Sequence, residues 1–141
     1  MPDTVLFACV HNAGRSQMAS AFFNAMADRG KAVAISAGTE PADRVHPEVV
    51  AAMREAGLDL SGLVPRKLTD ELAQGAVLLV TMGCGDRCPY VPGLQKDDWN
   101  LADPRGQCVE RVREIRDDIR GRVIGLLRKR GWDKREGEVI R

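Results

Sequence analysis

In Cys9-Val10-His11-Asn12-Ala13-Gly14-Arg15-Ser16, a thiol and a guanidinium flank five intervening residues. The thiol lies within an apolar, β-branched run, Thr4 to Val10, that suits a buried strand. Gly14 to Arg29 reads as a helix, with Met18, Ala19, Phe22, Phe23 and Met26 on one face and Gly30 as its stop. A strand–loop–helix unit of this kind is an anion site. Backbone N–H groups of Val10, His11, Asn12, Ala13 and Gly14 turned inward cradle a tetrahedral oxyanion. Arg15 adds a planar fork for two of its oxygens, and Gly14 permits a strained backbone before the helix. The same positive field is expected to lower the pKa of Cys9 and supply a thiolate nucleophile. Ser16 is placed to donate to that thiolate, and Asn12 to bond across the loop. His11 is expected to contribute its backbone, with its ring exposed. The competing reading makes Cys9 a small buried hydrophobe and Arg15 a surface charge; the strand before, the helix after and Ser16 favour the nucleophile.

A thiol attacking such an anion must expel an oxygen, and a positioned acid lowers that barrier. Asp103 precedes Pro104, which restricts it to extended geometry. Asp-Pro is also an ordinary turn dipeptide, so spacing alone leaves both readings open. Cys84 and Cys88 stand four apart in a Gly- and Pro-containing loop, close enough to pair. They read as a redox pair, as unrelated thiols, or as half of a zinc site. Only Cys108, His11 and His46 remain as further zinc ligands, with no second close pair, so no metal is expected. Cys108 reads as a bystander, His46 as a capping or packing residue, and Trp99 as packing.

Positioning these groups takes a chain of 141 residues, one domain's worth, with 44% hydrophobic residues. Lys and Arg number 21 against 20 Asp and Glu, a balance that gives no reason to expect nucleic acid or an anionic membrane. The three Phe, two Trp and one Tyr (Tyr90) are too few for a base-stacking surface. The longest apolar run, Ala76 to Met82, is too short to cross a bilayer, and the N-terminus lacks signal-peptide character. A soluble cytoplasmic protein is expected, and in that reducing compartment cysteines serve catalysis, redox exchange or metal binding more often than structural disulfides.

Ala32 to Ala37 and Ala76 to Met82 read as strands, and Asp98 to Leu101 as a short edge strand. His46 to Ala56 reads as a helix with Pro47 in its first turn, and Val109 to Arg130 as a long amphipathic helix closed by Arg128-Lys129-Arg130. Thr69 to Ala73 reads as one helical turn capped by Thr69. The alternation predicts an α/β sandwich: a central four-stranded parallel sheet flanked by helices on both faces. Ligands of such sheets sit beyond the strands' carboxyl ends, where Cys9 and Cys84 fall. Residues 1–131 form the expected domain and 132–141 a polar tail.

The Cys9–Ser16 segment resembles the C-x5-R-S loop of low-molecular-weight protein tyrosine phosphatases. More narrowly, Val-His-Asn-Ala-Gly-Arg-Ser-Gln-Met-Ala is similar to the arsenate reductases built on that fold. The similarity takes in Ser36-Ala37-Gly38-Thr39, His46-Pro47, Val80-Thr81-Met82-Gly83-Cys84, Trp99 and Asp103-Pro104, and ends around Arg130. It implies that Asp103 is the acid. It also implies a thiol relay: Cys9 forms an arsenate adduct, Cys84 attacks the Cys9 sulfur and releases arsenite, and Cys88 moves the disulfide to Cys84–Cys88 for thioredoxin to reduce. Well-known members space the relay cysteines further apart, and short C-x3-C loops also resemble relatives served by mycothiol or another small thiol with a redoxin, where Cys9 alone suffices. The acidic residue with which some members hold potassium falls near Ser20, so that ion is not expected.

Three functions follow. An arsenate reductase uses every cysteine of the relay and Asp103. A tyrosine phosphatase needs no Cys84/Cys88 pair and favours aromatics beside the Asp-Pro, where Arg105, Gly106 and Gln107 stand instead. A thiol sensor or oxyanion-binding module leaves Asp103 idle. The reductase is the expected function, with no bound cofactor, a redoxin partner, weak residual phosphatase activity and a monomeric state.

Overall fold

The computed structural model describes residues 2–83 and 92–134. Eight elements follow in order: β1 (Asp3–Cys9), α1 (Arg15–Met26), β2 (Ala32–Gly38), α2 (Pro47–Glu55), α3 (Asp70–Gln74), β3 (Leu78–Thr81), β4 (Gln95–Asp98) and α4 (Val109–Arg130). The four strands form one parallel sheet in the order β2-β1-β3-β4.

The apolar run of β1 is continuous because the strand is buried on both faces. Val5, Phe7 and Cys9 join a core with α1, α2 and α4, while Leu6 and Ala8 join a smaller one with Leu68, Ala73 and Leu79. The layers are therefore unequal, three helices on one face and the short α3 on the other. In α4, Val112, Ile115, Ile119, Val123 and Leu127 form the buried stripe. Gly131, at φ 70, closes the helix in the left-handed conformation that glycine adopts without strain. Thr69 caps α3 by accepting from Leu72 N at 3.2 Å.

The expected run Ala76–Met82 lies along β1 beyond the regular strand: Val77 N donates to Thr4 O and Met82 N to Ala8 O, both at 2.8 Å. Two boundaries are corrected. The edge strand is Gln95–Asp98, not Asp98–Leu101. Its residues are exposed, and its apolar neighbour Trp99 instead turns into the core, its ring 5.5 Å from Phe7. Helix α1 ends at Met26, before Gly30, because Ala27 turns extended and forms an antiparallel bridge with Asp133. Of the expected tail, residues 132–134 are described, and Trp132 does not fray: it is buried, and its ring stands edge-on to Phe23 at 6.0 Å. Among the described residues, no helix is long and apolar enough to cross a membrane.

Candidate active site

Strands β1 and β3 are the two central strands, and the sheet's order reverses between them. β1 delivers Cys9 to the carboxyl edge, and β3 delivers Gly83 just beyond its own end. The loop after Cys9 is shaped by what its carbonyls do. Cys9 O accepts from Thr39 N, Val10 O from Glu40 N, His11 O from Ala42 N, and Ala13 O from His46 N. Asn12 O accepts from the Gln17 side chain at 3.0 Å. No peptide bond here is cis. In a trans peptide the N–H opposes the carbonyl of the preceding residue. Each of these five carbonyls is held by a partner, so the N–H groups of Val10, His11, Asn12, Ala13 and Gly14 face away from those partners. One of them, Asn12 N, donates to Cys9 Sγ at 3.3 Å.

Two residues enforce the loop's path. Asn12 has φ 51, the only left-handed non-glycine residue among those described. Its side chain explains the choice: Nδ2 donates to Ser16 Oγ at 2.8 Å, while Oδ1 accepts from Gln17 Nε2 at 3.1 Å and from Arg66 N at 3.0 Å. Gly38 lies beneath. A Cβ there would stand 2.6 Å from Val10 O and 2.9 Å from Asn12 N, so no larger residue fits.

Ser16 Oγ lies 2.8 Å from Cys9 Sγ. Since Oγ accepts from Asn12, its own proton is available to the sulfur, and a Cys9 thiolate receives two hydrogen bonds. Cys9 and Ser16 are both buried.

Arg15, 9% exposed, opens α1 beside the loop. Its Nη1 donates to Leu101 O at 3.4 Å, and Nη2 lies 3.7 Å from Asp103 Oδ2. Gly83, at φ 94, lets the chain pass under the guanidinium; a Cβ would stand 2.7 Å from Nη1. Asp103 is 45% exposed, and its Oδ1 accepts from Arg105 N at 3.0 Å. Pro104 packs so closely on Gly14 that a Cβ on Gly14 would meet its ring at 2.9 Å. Thiol loop, guanidinium and Asp-Pro thus meet at one place, although Asp103 is separated by most of the chain from Cys9.

Other sequence expectations resolve as follows. The His11 ring is half-buried rather than free, its Nδ1 3.1 Å from Glu40 O. His46 occupies the N-cap position of α2 without a side-chain cap. Burial lowers its pKa, outweighing the nearby Glu48 and Asp103 carboxylates. Trp99 is a core residue whose Nε1 donates to Asp97 Oδ2 at 3.1 Å. Cys108 is exposed at the N-cap of α4. Cys84, Cys88 and Tyr90 lie outside the described residues. Gln17 and Arg66, which fix Asn12, were not anticipated. Gln17 carried one signal: a polar residue facing the buried side of the first helical turn. Arg66 acts through its backbone N–H, which no side-chain pattern reveals.

A buried Cys at the end of a central parallel strand, with Arg15 opening the next helix and Asp103 beside that Arg, matches the C-x5-R pattern of the sequence. The family model for low molecular weight phosphotyrosine protein phosphatase matches residues 4–88, and the chain belongs to this family. Relatives within it include arsenate reductases. A putative arsenate reductase of Halobacterium salinarum is 44% identical over 125 residues, covering 86% of this chain and 88% of that one. A glutaredoxin arsenate reductase of Synechocystis is 36% identical, covering 89% and 96%. The solved thioredoxin-dependent arsenate reductase of Corynebacterium glutamicum superposes with a TM-score of 0.79 at 40% identity. That match covers 91% of this chain but 61% of the longer Corynebacterium chain.

Proposed function

We propose that this chain reduces arsenate to arsenite. The observation that carries the reading is the loop whose five successive carbonyls are bonded away from it, with Asn12 N and Ser16 Oγ on a buried Cys9 sulfur and Arg15 opening the next helix. This is a receptor for a tetrahedral oxyanion with a nucleophile at its base. Arsenate seats with two oxygens on Arg15. The Cys9 thiolate attacks arsenic, and Asp103 protonates the departing oxygen, which leaves as water. Cys84 then attacks the Cys9 sulfur. The electron pair of the S–As bond stays with arsenic, which leaves as arsenite, and a Cys9–Cys84 disulfide remains. Cys88 attacks Cys84, freeing Cys9, and a Cys84–Cys88 disulfide passes two electrons' worth of oxidation to thioredoxin. No bound cofactor takes part. The thiols require a reducing compartment, the cytoplasm, and one copy of the chain holds all the groups. The kinship with arsenate reductases supports the substrate, and the absence of aromatics among Arg105, Gly106 and Gln107 speaks against a dedicated aryl phosphatase.

The reductant has a second reading. One similar protein is a glutaredoxin arsenate reductase and another a thioredoxin-dependent arsenate reductase. Arsenate-dependent NADPH oxidation with thioredoxin and its reductase, for wild type and Cys88→Ser, separates them. Turnover that the substitution abolishes supports the full relay. Silence with thioredoxin but turnover with mycothiol or glutathione and a redoxin assigns the small-thiol route. Silence in all of these, with hydrolysis of aryl phosphates, overturns the reductase in favour of a phosphatase.

A further inference from the structure

The acid proposed for this reaction sits in a weak position. Residues 99–108 contain no helix or strand, and Asp103 is close to half exposed. Its charged partner is Arg15, at 3.7 Å. An oxyanion seated in the loop competes for that same guanidinium. In the liganded state something else must hold the acid's loop in place.

On its N-terminal side the segment is anchored by buried Trp99 and by Leu101 and Ala102 packed on the core; at and beyond Pro104, two further contacts are independent of Arg15. One is Pro104 against Gly14. The other is a hydrogen bond from Gly106 N to Glu48 Oε2 at 3.0 Å. Glu48 stands in the first turn of α2, two residues after His46, whose N–H holds Ala13 O of the anion loop at 2.9 Å. A single short segment therefore grips the oxyanion loop with its backbone and the acid's loop with a side chain. The turn between is compact: Arg105 N bonds Asp103 Oδ1, Gln107 N bonds Pro104 O, and Gly106 adopts φ 70 to present its N–H to the carboxylate. Burial works to raise the Glu48 pKa. The hydrogen bonds donated by Gly106 N–H and by its own backbone N–H, with the nearby His46 and Arg105, outweigh it and hold the carboxyl below its ordinary value. The acceptor is thus ionised at neutral pH, and charged acceptors make the stronger hydrogen bonds.

We propose that Glu48 is a positioning residue for the reaction: through Gly106 N–H it latches the Asp103 loop over the oxyanion once the anion has claimed Arg15. This rests on the role of Asp103 given above. Misplacing a catalytic group by about 1 Å can cost on the order of 10²-fold. Glu48 lies outside the loop that binds the anion, so its loss falls on the chemical step and not on binding.

The test is a double-mutant cycle on single-turnover arsenite formation, with reduced protein mixed with arsenate and quenched. Phosphate inhibition reports oxyanion affinity alongside. Glu48→Ala is expected to slow arsenite formation about tenfold with phosphate inhibition changed less than about twofold. Glu48→Gln, which still offers a carbonyl oxygen to Gly106, retains most of the rate. Glu48→Leu keeps the bulk without the acceptor and repeats the alanine result should alanine impair folding. In an Asp103→Asn background, Glu48→Ala is expected to add nothing. Equal losses in both backgrounds, or a parallel loss of phosphate affinity, overturn the latch in favour of general support of the fold. A silent Glu48→Ala beside a slow Asp103→Asn overturns the latch alone. A silent Asp103→Asn overturns the acid and the latch together. If wild type forms no arsenite, the reductase falls, and the same cycle on 4-nitrophenyl phosphate hydrolysis decides the latch.

Discussion

Asn12 shows how one side chain serves two structural needs. Its amide tolerates the left-handed backbone that the loop requires, and it collects three hydrogen bonds that no aliphatic residue could make. Asn12→Ala leaves the buried Gln17 amide and Arg66 N–H short of an acceptor. The expected cost is about 1–3 kcal/mol in a urea titration, with lost turnover. That Asn12 would bond across the loop was legible from its place between a Cys and a Ser; that Gln17 and Arg66 fix it was not. Arg66 is 54 residues further along the chain and contributes a backbone group, so its side-chain identity carries no trace of the contact. Gly38 was legible only through the resemblance of its motif. Its physical reason, a Cβ that would strike Val10 O, needs the loop and strand together. Arg15 and Asp103, expected to serve one site, have side chains 3.7 Å apart.

Among the elements, α2 does more than its short, half-polar sequence suggests. Beyond the Glu48 contact, Glu55 at its end accepts from Arg113 Nη2 at 2.7 Å and from Arg116 Nη1 at 3.0 Å, tying it to α4. The hydrogen bonds from Arg113, and secondarily Arg116, hold the Glu55 pKa at about 2. A depressed folded pKa contributes stability above the unfolded value, 4.5, that is lost as pH falls toward about 2. His46 acts the same way through burial: its contribution is present above 6.5 and lost below it. Urea midpoints measured against pH are expected to fall less steeply between 4.5 and about 2 for Glu55→Gln than for wild type. Equal slopes would show that the pair is screened, as exposed ion pairs often are. Long periodic elements were the legible ones: α4 is found at Val109–Arg130 as expected. The edge strand was misplaced because Gln95-Lys-Asp-Asp98 is wholly polar and exposed, with neither the alternation nor the β-branched residues that mark a half-buried strand.

For the whole molecule, four of the six aromatic residues form one line through the core. Trp99, Phe7, Phe23 and Trp132 follow at centroid spacings of 5.5, 5.9 and 6.0 Å. These ring contacts run from the segment that carries Asp103 to Trp132, just after α4. A lone Trp among charged residues has no periodicity, so Trp132 read as part of a polar tail. Its packing against α1, with Arg130 stacked 5.3 Å from its ring, shows otherwise. Trp132→Ala is expected to destabilise the protein by about 3–5 kcal/mol in urea or thermal unfolding, a change expected of a core residue and not of a frayed end.

The outward carbonyls of the Cys9 loop have one more consequence. The positive field of that loop comes from fixed peptide dipoles and one buried guanidinium, in a chain whose net charge is only +1. Dissolved salt screens exposed charges over roughly 8 Å at physiological strength but reaches buried dipoles far less. For the oxyanion binding proposed above, capture is therefore expected to depend little on the ionic strength of the surroundings, and discrimination among oxyanions to fall to the number and placement of their acceptor oxygens.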